Sequence, residues 1–387
     1  MDISPRRFIK PFWKIYIILG LVFFNILYAS ITSLEKTTID SIINSAIQDS
    51  VFPGAVLCFG NSQNVSFINS YGRYDYSPMS SPVTTDCIYD LASLTKVIAT
   101  TSSIMRLIEK GLLNLNDPVF DHIPDFGVKD KKQISIKNLL VHNSGLYPGR
   151  PLYSCCKTKE VALDSLFNLK LQYRTGEKTV YSDLGFIMLG LLVEKIAHQS
   201  LDAYVNQILN NKMQMQETTF NPDGSIWPRI IPTDPEINMR LIKKPGTVRN
   251  TITRTFNGVA GHAGLFSTAR DLAILATMYL NDGDINGKKI FTKSTIDNFS
   301  KKQSKNSTRA LGWDTGNGNQ ENKIANLFSN EAFGHTGFTG TSIWIDPTID
   351  LYIILLTNRT YEMTNRSLIK KFRPLIHDYI IECIIKN

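Results

Sequence analysis

The period of hydrophobic and polar positions changes several times along the chain, and each change marks an element. Ile39, Ile42, Ile43, Ala46 and Ile47 recur at helical spacing and predict a first helix. Two short β-like runs follow, 55–59 and 65–68, separated by the turn formers Gly60, Asn61 and Ser62. Residues 93–109 read as a helix stopped by Gly111. From about 115 to 260 the signals are helices and long loops, with a strongly apolar helix at 184–197. Within that stretch, 221–255 holds many turn formers and few periodic apolar positions, which predicts a long surface loop. Residues 268–279 are helical again. The stretches 340–345 and 351–356 are β-rich around the turn at Asp346 and Pro347, and a last helix covers about 365–385.

β signals therefore sit at both ends of the chain, with helices between them. Sequence-adjacent strands usually pair. The expected fold is α/β (α+β): one antiparallel sheet built from both ends and flanked by the terminal helices, with an inserted all-helical lobe and a cleft between the two. The expected division is an N-terminal segment over 1–30 and one domain over 31–387. Its α/β part spans about 35–112 and 262–387, and its helical lobe about 113–261.

Composition changes this picture little. The chain has 387 residues, 43% hydrophobic and 20% charged, which fits one globular enzyme with a large insertion. The net charge is +8, but Lys and Arg are scattered with no basic stripe interleaved with aromatics, so no nucleic-acid partner is expected. The N-terminus is more informative. Arg6, Arg7, Lys10 and Lys14 precede an uncharged run at 15–29, and Ala29 and Ser30 are small, as in an export signal. The run falls short of the about 20 residues of a spanning helix, although Phe12 and Trp13 would lengthen it. A cleaved signal and an uncleaved anchor both remain open. Either places the rest of the chain in the periplasm or on the outer face of the cytoplasmic membrane, with membrane contact only through this segment.

Five cysteines, Cys58, Cys87, Cys155, Cys156 and Cys383, show no metal spacing. A Cys58–Cys87 bridge is open after export, whereas adjacent Cys155 and Cys156 would make a strained one. The six histidines form no HExxH pattern.

Three short motifs carry chemistry. Ser93-Leu94-Thr95-Lys96 puts a hydroxyl and an amine three residues apart, on one face of a helix. Alone it also fits a capping serine with a solvated lysine. Tyr181-Ser182-Asp183 opens the apolar helix; a tyrosine serves as a base where nearby cations favour its phenolate. Alone it also fits an interfacial tyrosine and an N-capping aspartate. His335-Thr336-Gly337, within FGHTGFTGT, suits an inner edge strand that a substrate backbone can approach closely, and alone is simply a glycine-rich strand.

In this order, and with LLVHNSGL at 139–146, GFIMLG at 185–190 and GHAGLFS at 261–267, the chain resembles the class C β-lactamase and serine D-Ala-D-Ala peptidase family. That family includes the low-molecular-weight penicillin-binding proteins and related esterases. The likeness covers 35 to about 385. It implies Ser93 as the acylated nucleophile and Lys96 as the residue that orients and helps deprotonate it. It implies that Tyr181 shuttles the proton, and that the backbone N–H groups of Ser93 and Phe338 form the oxyanion hole. Asp183, His335, Thr336 and Gly337 would contact substrate, with His335 and Thr336 at its carboxylate end. No metal or organic cofactor is implied. The expected substrate is a small molecule or a peptidoglycan peptide, with β-lactams as acylating ligands.

Two residues depart from the family pattern. Asp183 stands where Asn is common, and an ionised Asp only accepts hydrogen bonds, although it could pair with Lys96 directly. His335 stands where β-lactamases usually carry Lys, which tilts the expectation towards a D-Ala-D-Ala carboxypeptidase over a class C-like β-lactamase, a small-ester esterase or a sensor that acylates without turnover. With an ordinary pKa, His335 would titrate near pH 6.5 and hold a carboxylate better at lower pH. His262 is expected to satisfy a loop.

Overall fold

The apolar runs at 55–59 and 351–356 form the middle of a six-stranded antiparallel sheet. In the computed structural model, which describes residues 32–128, 130–149, 157–234, 246–316, 318–319, 322–362 and 366–386, the strand order is Val65–Gly72, Gly54–Gly60, Leu351–Thr357, Ser342–Asp346, Phe333–Thr336, Asp314–Thr315. The expected export segment, Cys155 and Cys156 lie outside the described residues. Both central strands are buried along their whole length. Alternate residues serve two different cores: Leu57, Phe59, Ile353 and Leu355 face one, and Val56, Cys58, Ile354 and Leu356 the other. Burial on both faces is why these strands read as continuous apolar runs rather than alternating ones.

The terminal helices Ser33–Gln48 and Arg366–Lys386 cover the first face through Ile39, Ile43, Ile376 and Ile380, with Phe52 edge-on to Phe372 at 5.2 Å. Thr32 and Glu35 cap the first of them reciprocally. The helix Ala269–Leu280 packs on the second face, and the middle of the chain, led by the helix Asp183–Ala197, shares its core. Among its described residues that middle stretch consists of helices and loops, with a two-residue strand Thr219–Phe220 that joins Tyr89–Asp90 and Leu265–Ser267 in a small second sheet. Among the described residues no single helix is long and apolar enough to cross a membrane.

Three expectations are corrected. The helix at 93–109 is composite: a 3-10 turn Ala92–Leu94, a π-helix Lys96–Thr101 and an α-helix Ser102–Glu109. π segments gather at functional sites. The stretch 221–255 is not a plain surface loop. It holds a 3-10 turn Trp227–Arg229 and a helix Thr251–Thr255, while Ile230, Ile231, Val248 and Ile252 are buried. Ile230 and Val248 dock singly onto Ile88 and Phe266, so they leave no period to read. Finally, Cys58 and Cys87 are free buried thiols, Cys87 being held by contacts with Tyr74 and Thr84.

Candidate active site

Ser93 follows a residue forced into an uncommon shape. Ala92 has φ 48°, a left-handed conformation that costs a non-glycine residue about 1–2 kcal/mol. Asp90 holds it there: one carboxylate oxygen accepts from the Ala92 N–H at 2.8 Å, the other from the Arg249 N–H at 2.9 Å. The turn after the Phe333–Thr336 strand is tied to the same segment. Thr339 donates to the Asp90 carbonyl at 2.8 Å and Thr341 to the Leu91 carbonyl at 3.2 Å. Gly337 makes this closeness possible, since a Cβ there would lie 2.5 Å from the Leu91 oxygen and 2.0 Å from Thr341 Oγ1. Ser93 and Phe338 thereby border the same cavities.

Lys96 is wholly buried, not solvated. Its three ammonium protons meet three acceptors: Ser93 Oγ at 3.2 Å, Asp183 Oδ1 at 2.7 Å and the His262 carbonyl at 3.0 Å. Burial works against its charge, but Asp183 first and Tyr181 second outweigh it and hold the pKa above the usual lysine range. Asp183, in the place of Asn, thus pairs directly with Lys96.

Tyr181 is placed by the LLVHNSGL turn. His142, at φ 59°, accepts the Ser182 N–H on Nδ1 at 3.0 Å, and its carbonyl accepts the Val180 N–H at 2.8 Å. Ser182 caps the following helix through Gly185 N–H and donates to the Tyr147 carbonyl at 2.6 Å. The Tyr181 hydroxyl is buried and has no hydrogen-bond partner among the described residues. Its ring centre lies 4.9 Å from Lys96 Nζ, 4.6 Å from the His142 ring and 5.5 Å from the Arg309 guanidinium.

His335 lies 5.9 Å from Tyr181, ring to ring, and is 4% exposed. Its Nδ1 donates to the Thr336 carbonyl at 2.9 Å. Burial, then Arg309 and Lys96, push its pKa well below the ordinary value. This direction runs against the expectation of a histidine titrating near neutrality, and Arg309 stands among the cationic side chains on the same side of the site. His262 ties the loop as expected. Its Nε2 donates to Asn250 Oδ1 at 3.2 Å, and Asn250 caps the helix Thr251–Thr255. Burial lowers the His262 pKa to about 4.

Two cavities meet at Ser93, Tyr181 and Phe338. One, about 420 Å³, is bordered by Asp90, Asp183, Arg249 and Asn250; the other, about 410 Å³, by Arg309, His335, Thr336 and Arg373. The exposed Phe338 ring divides them, with the Arg249 and Arg359 guanidiniums each 5.1 Å from its centre. Sequence reasoning missed all four arginines. None sits in a motif, and the only hint, a net charge of +8, reads equally as scattered surface charge. Among the described residues no group of three or more His, Cys, Asp or Glu could hold a metal.

Known proteins resemble the chain over most of its length. The Beta-lactamase family model matches residues 39–376. A protein of Salmonella agona (strain SL483) named putative D-alanyl-D-alanine carboxypeptidase is 31% identical over 347 residues, covering 81% of this chain and 80% of its own length. The N-acetylmuramyl-L-alanine amidase of Bacillus subtilis (strain 168) is 33% identical over 343 residues, covering 80% and 78%. Among solved structures, a penicillin-binding protein homolog from Caulobacter crescentus superposes with a TM-score of 0.71 at 16% identity, covering 92% of this chain and 99% of that one. A class C β-lactamase from Rhodobacter sphaeroides gives 0.70 at 18% identity, covering 89% and 99%. The chain belongs to the β-lactamase family and is a serine hydrolase.

Proposed function

We propose that the protein is a D-alanyl-D-alanine carboxypeptidase of the penicillin-binding type, forming an acyl-enzyme on Ser93 and acting outside the cytoplasm. The observation that carries the reading is the buried Lys96 ammonium, which holds Ser93 Oγ and Asp183 beside the unpartnered Tyr181 hydroxyl. In this reading Ser93 Oγ bonds to the acyl carbon, and the Ser93 and Phe338 N–H groups receive the oxyanion. The Ser93 proton passes through Tyr181 to the departing amine as the C–N bond breaks. Water then adds to the acyl carbon, the bond from that carbon to Ser93 Oγ breaks, the acyl group leaves as the free acid, and a proton from the water returns to Ser93. Lys96, already saturated with acceptors, supplies the field rather than a lone pair. Arg309 and Thr336 receive the carboxylate of the leaving amino acid. A second reading, an amidase, is favoured by the name of the Bacillus subtilis relative.

A fluorescent penicillin or a fluorophosphonate should label Ser93 and leave Ser93→Ala unlabelled. Among a D-Ala-D-Ala peptide, a chromogenic β-lactam and a nitrophenyl ester, the peptide should show the highest kcat/KM. Faster β-lactam turnover, or acylation without turnover, overturns the reading. Arg309→Gln should cost the carboxylated peptide about 10- to 100-fold more than the neutral ester, as expected for a charge-assisted hydrogen bond; equal losses reject Arg309 as the receptor. Export is supported by Arg6, Arg7 and the apolar run at 15–29. A reporter active only outside the cytoplasm, fused after residue 40, should give signal, and silence rejects export.

A further inference from the structure

The cavity on the His335 side of Ser93 is larger and more cationic than one alanine carboxylate needs. Its volume of about 410 Å³ would hold about a dozen waters at roughly 30 Å³ each. Arg309, Arg359, Lys370 and Arg373 line it, against one carboxylate, Asp314, which lies 3.8 Å from Arg309. Arg373 is the telling residue. It sits on the Arg366–Lys386 helix, is 5% exposed and donates from Nη2 to the Thr341 carbonyl at 3.0 Å. Its buried Nε has no hydrogen-bond partner, and no acidic side chain lies within ion-pair distance of it among the described residues. Burial, then the neighbouring Arg359, lower its pKa to about 9. A buried guanidinium without a counter-ion is costly, and an anion entering the cavity would relieve that cost. Lys370 lies one turn earlier on the same face of the helix, exposed at the rim.

We infer that this cavity receives a second carboxylate, so that the preferred leaving group is a dicarboxylic amino acid or an acidic peptide. The carboxylate nearest the broken bond lies at Arg309 and Thr336, and the distal one at Arg373 and Lys370. The inference rests on the amide-hydrolase reading above and narrows its substrate class. As in that reading, the acyl group stays on Ser93 Oγ, the serine proton leaves on the amine as the C–N bond breaks, and both carboxylates depart unchanged with the leaving group.

The test compares two peptides with the same acyl part, one ending in D-alanine and one in D-glutamate. The wild-type protein should favour the diacid by about ten-fold or more in kcat/KM, the usual scale for one buried charge pair. In Arg373→Gln that ratio should fall towards one, and Arg373→Lys should restore part of it. Lys370→Gln, at an exposed position, should lower the ratio by about three-fold, within the modest range of rim charges, and covers the case in which Arg373 variants fail to fold. A wild-type ratio near one, or a ratio unchanged in these variants, overturns the inference. If neither peptide is cleaved, the amide-hydrolase reading fails separately. The anion site is then read by protection: N-acetyl-D-glutamate should slow fluorophosphonate labelling of Ser93 more than N-acetyl-D-alanine does, by a clear margin in the wild type and a smaller one in Lys370→Gln. Equal protection overturns the site itself.

Discussion

At the scale of single residues, Asp183 decides how the site is charged. The 2.7 Å ion pair with Lys96 keeps the lysine an ammonium, and the three acceptors around Nζ leave it no direction from which to take a proton. Its raised pKa also fixes a sign for stability. The folded state holds this proton more tightly than the unfolded chain, so the contribution is complete below pH 10.5 and is lost as pH rises through the folded value. Asp183→Asn removes the largest influence raising the Lys96 pKa. If the ammonium is the working form, the alkaline fall of kcat/KM should move to lower pH by about one unit or more, the usual effect of a close opposite charge. The measurement is a pH profile of ester hydrolysis in both proteins. Movement of the rising limb instead would show that neutral Lys96 is the base.

At the scale of elements, the nucleophile turn and the His335 strand are one unit, joined by the Thr339 and Thr341 hydroxyls and by the missing side chain of Gly337. Gly337→Ala must push these elements apart, because the atoms in the way include backbone. The expected result is a loss of about 1–3 kcal/mol in stability from overpacking, and about 100-fold in acylation rate, the effect of a displacement near 1 Å. Thermal unfolding and the rate of fluorophosphonate labelling read the two separately; a labelling rate that does not change rejects the coupling. The motifs that build this unit were legible in the sequence because each is local: Ser93 to Lys96 is one helical turn, and His335 to Gly337 one strand end. The strands at 55–59 and 351–356 were legible because burial on both faces leaves an unbroken apolar run. The π character of Lys96–Thr101 was not, because residues 93–109 carry only a general helical pattern. Arg249, Arg309 and Arg359 were not, because they come to Phe338 and Tyr181 from separate segments, with no spacing that relates them.

At the scale of the whole molecule, burial of histidine sets the response to acid. His142, His262, His335 and His377 all have pKa values lowered chiefly by burial, His262 to about 4 and His377 to about 3. The unfolded chain takes up these protons as pH falls through 6.5, and the folded chain does so only lower. Stability therefore falls as pH falls across that window. Asp271, raised to about 6 by burial, and Asp90, raised in the same direction, act with the opposite sign but are two against four. Each uncompensated proton contributes about 1.4 kcal/mol per pH unit. The melting temperature should drop steadily between pH 6.5 and pH 4.5, and a flat or rising melting temperature would contradict the burial of these rings.

The pairing of Gly54–Gly60 with Leu351–Thr357 also governs the order of events during synthesis. Strands so far apart in sequence are slow to find each other, and a growing chain that has produced Ser93, Lys96 and Tyr181 has no central sheet to mount them on. The nucleophile turn waits longer still for its partners, because Thr339 and Thr341 come late in the chain. A chain that has not yet reached Thr341 therefore lacks the contacts that hold the nucleophile turn.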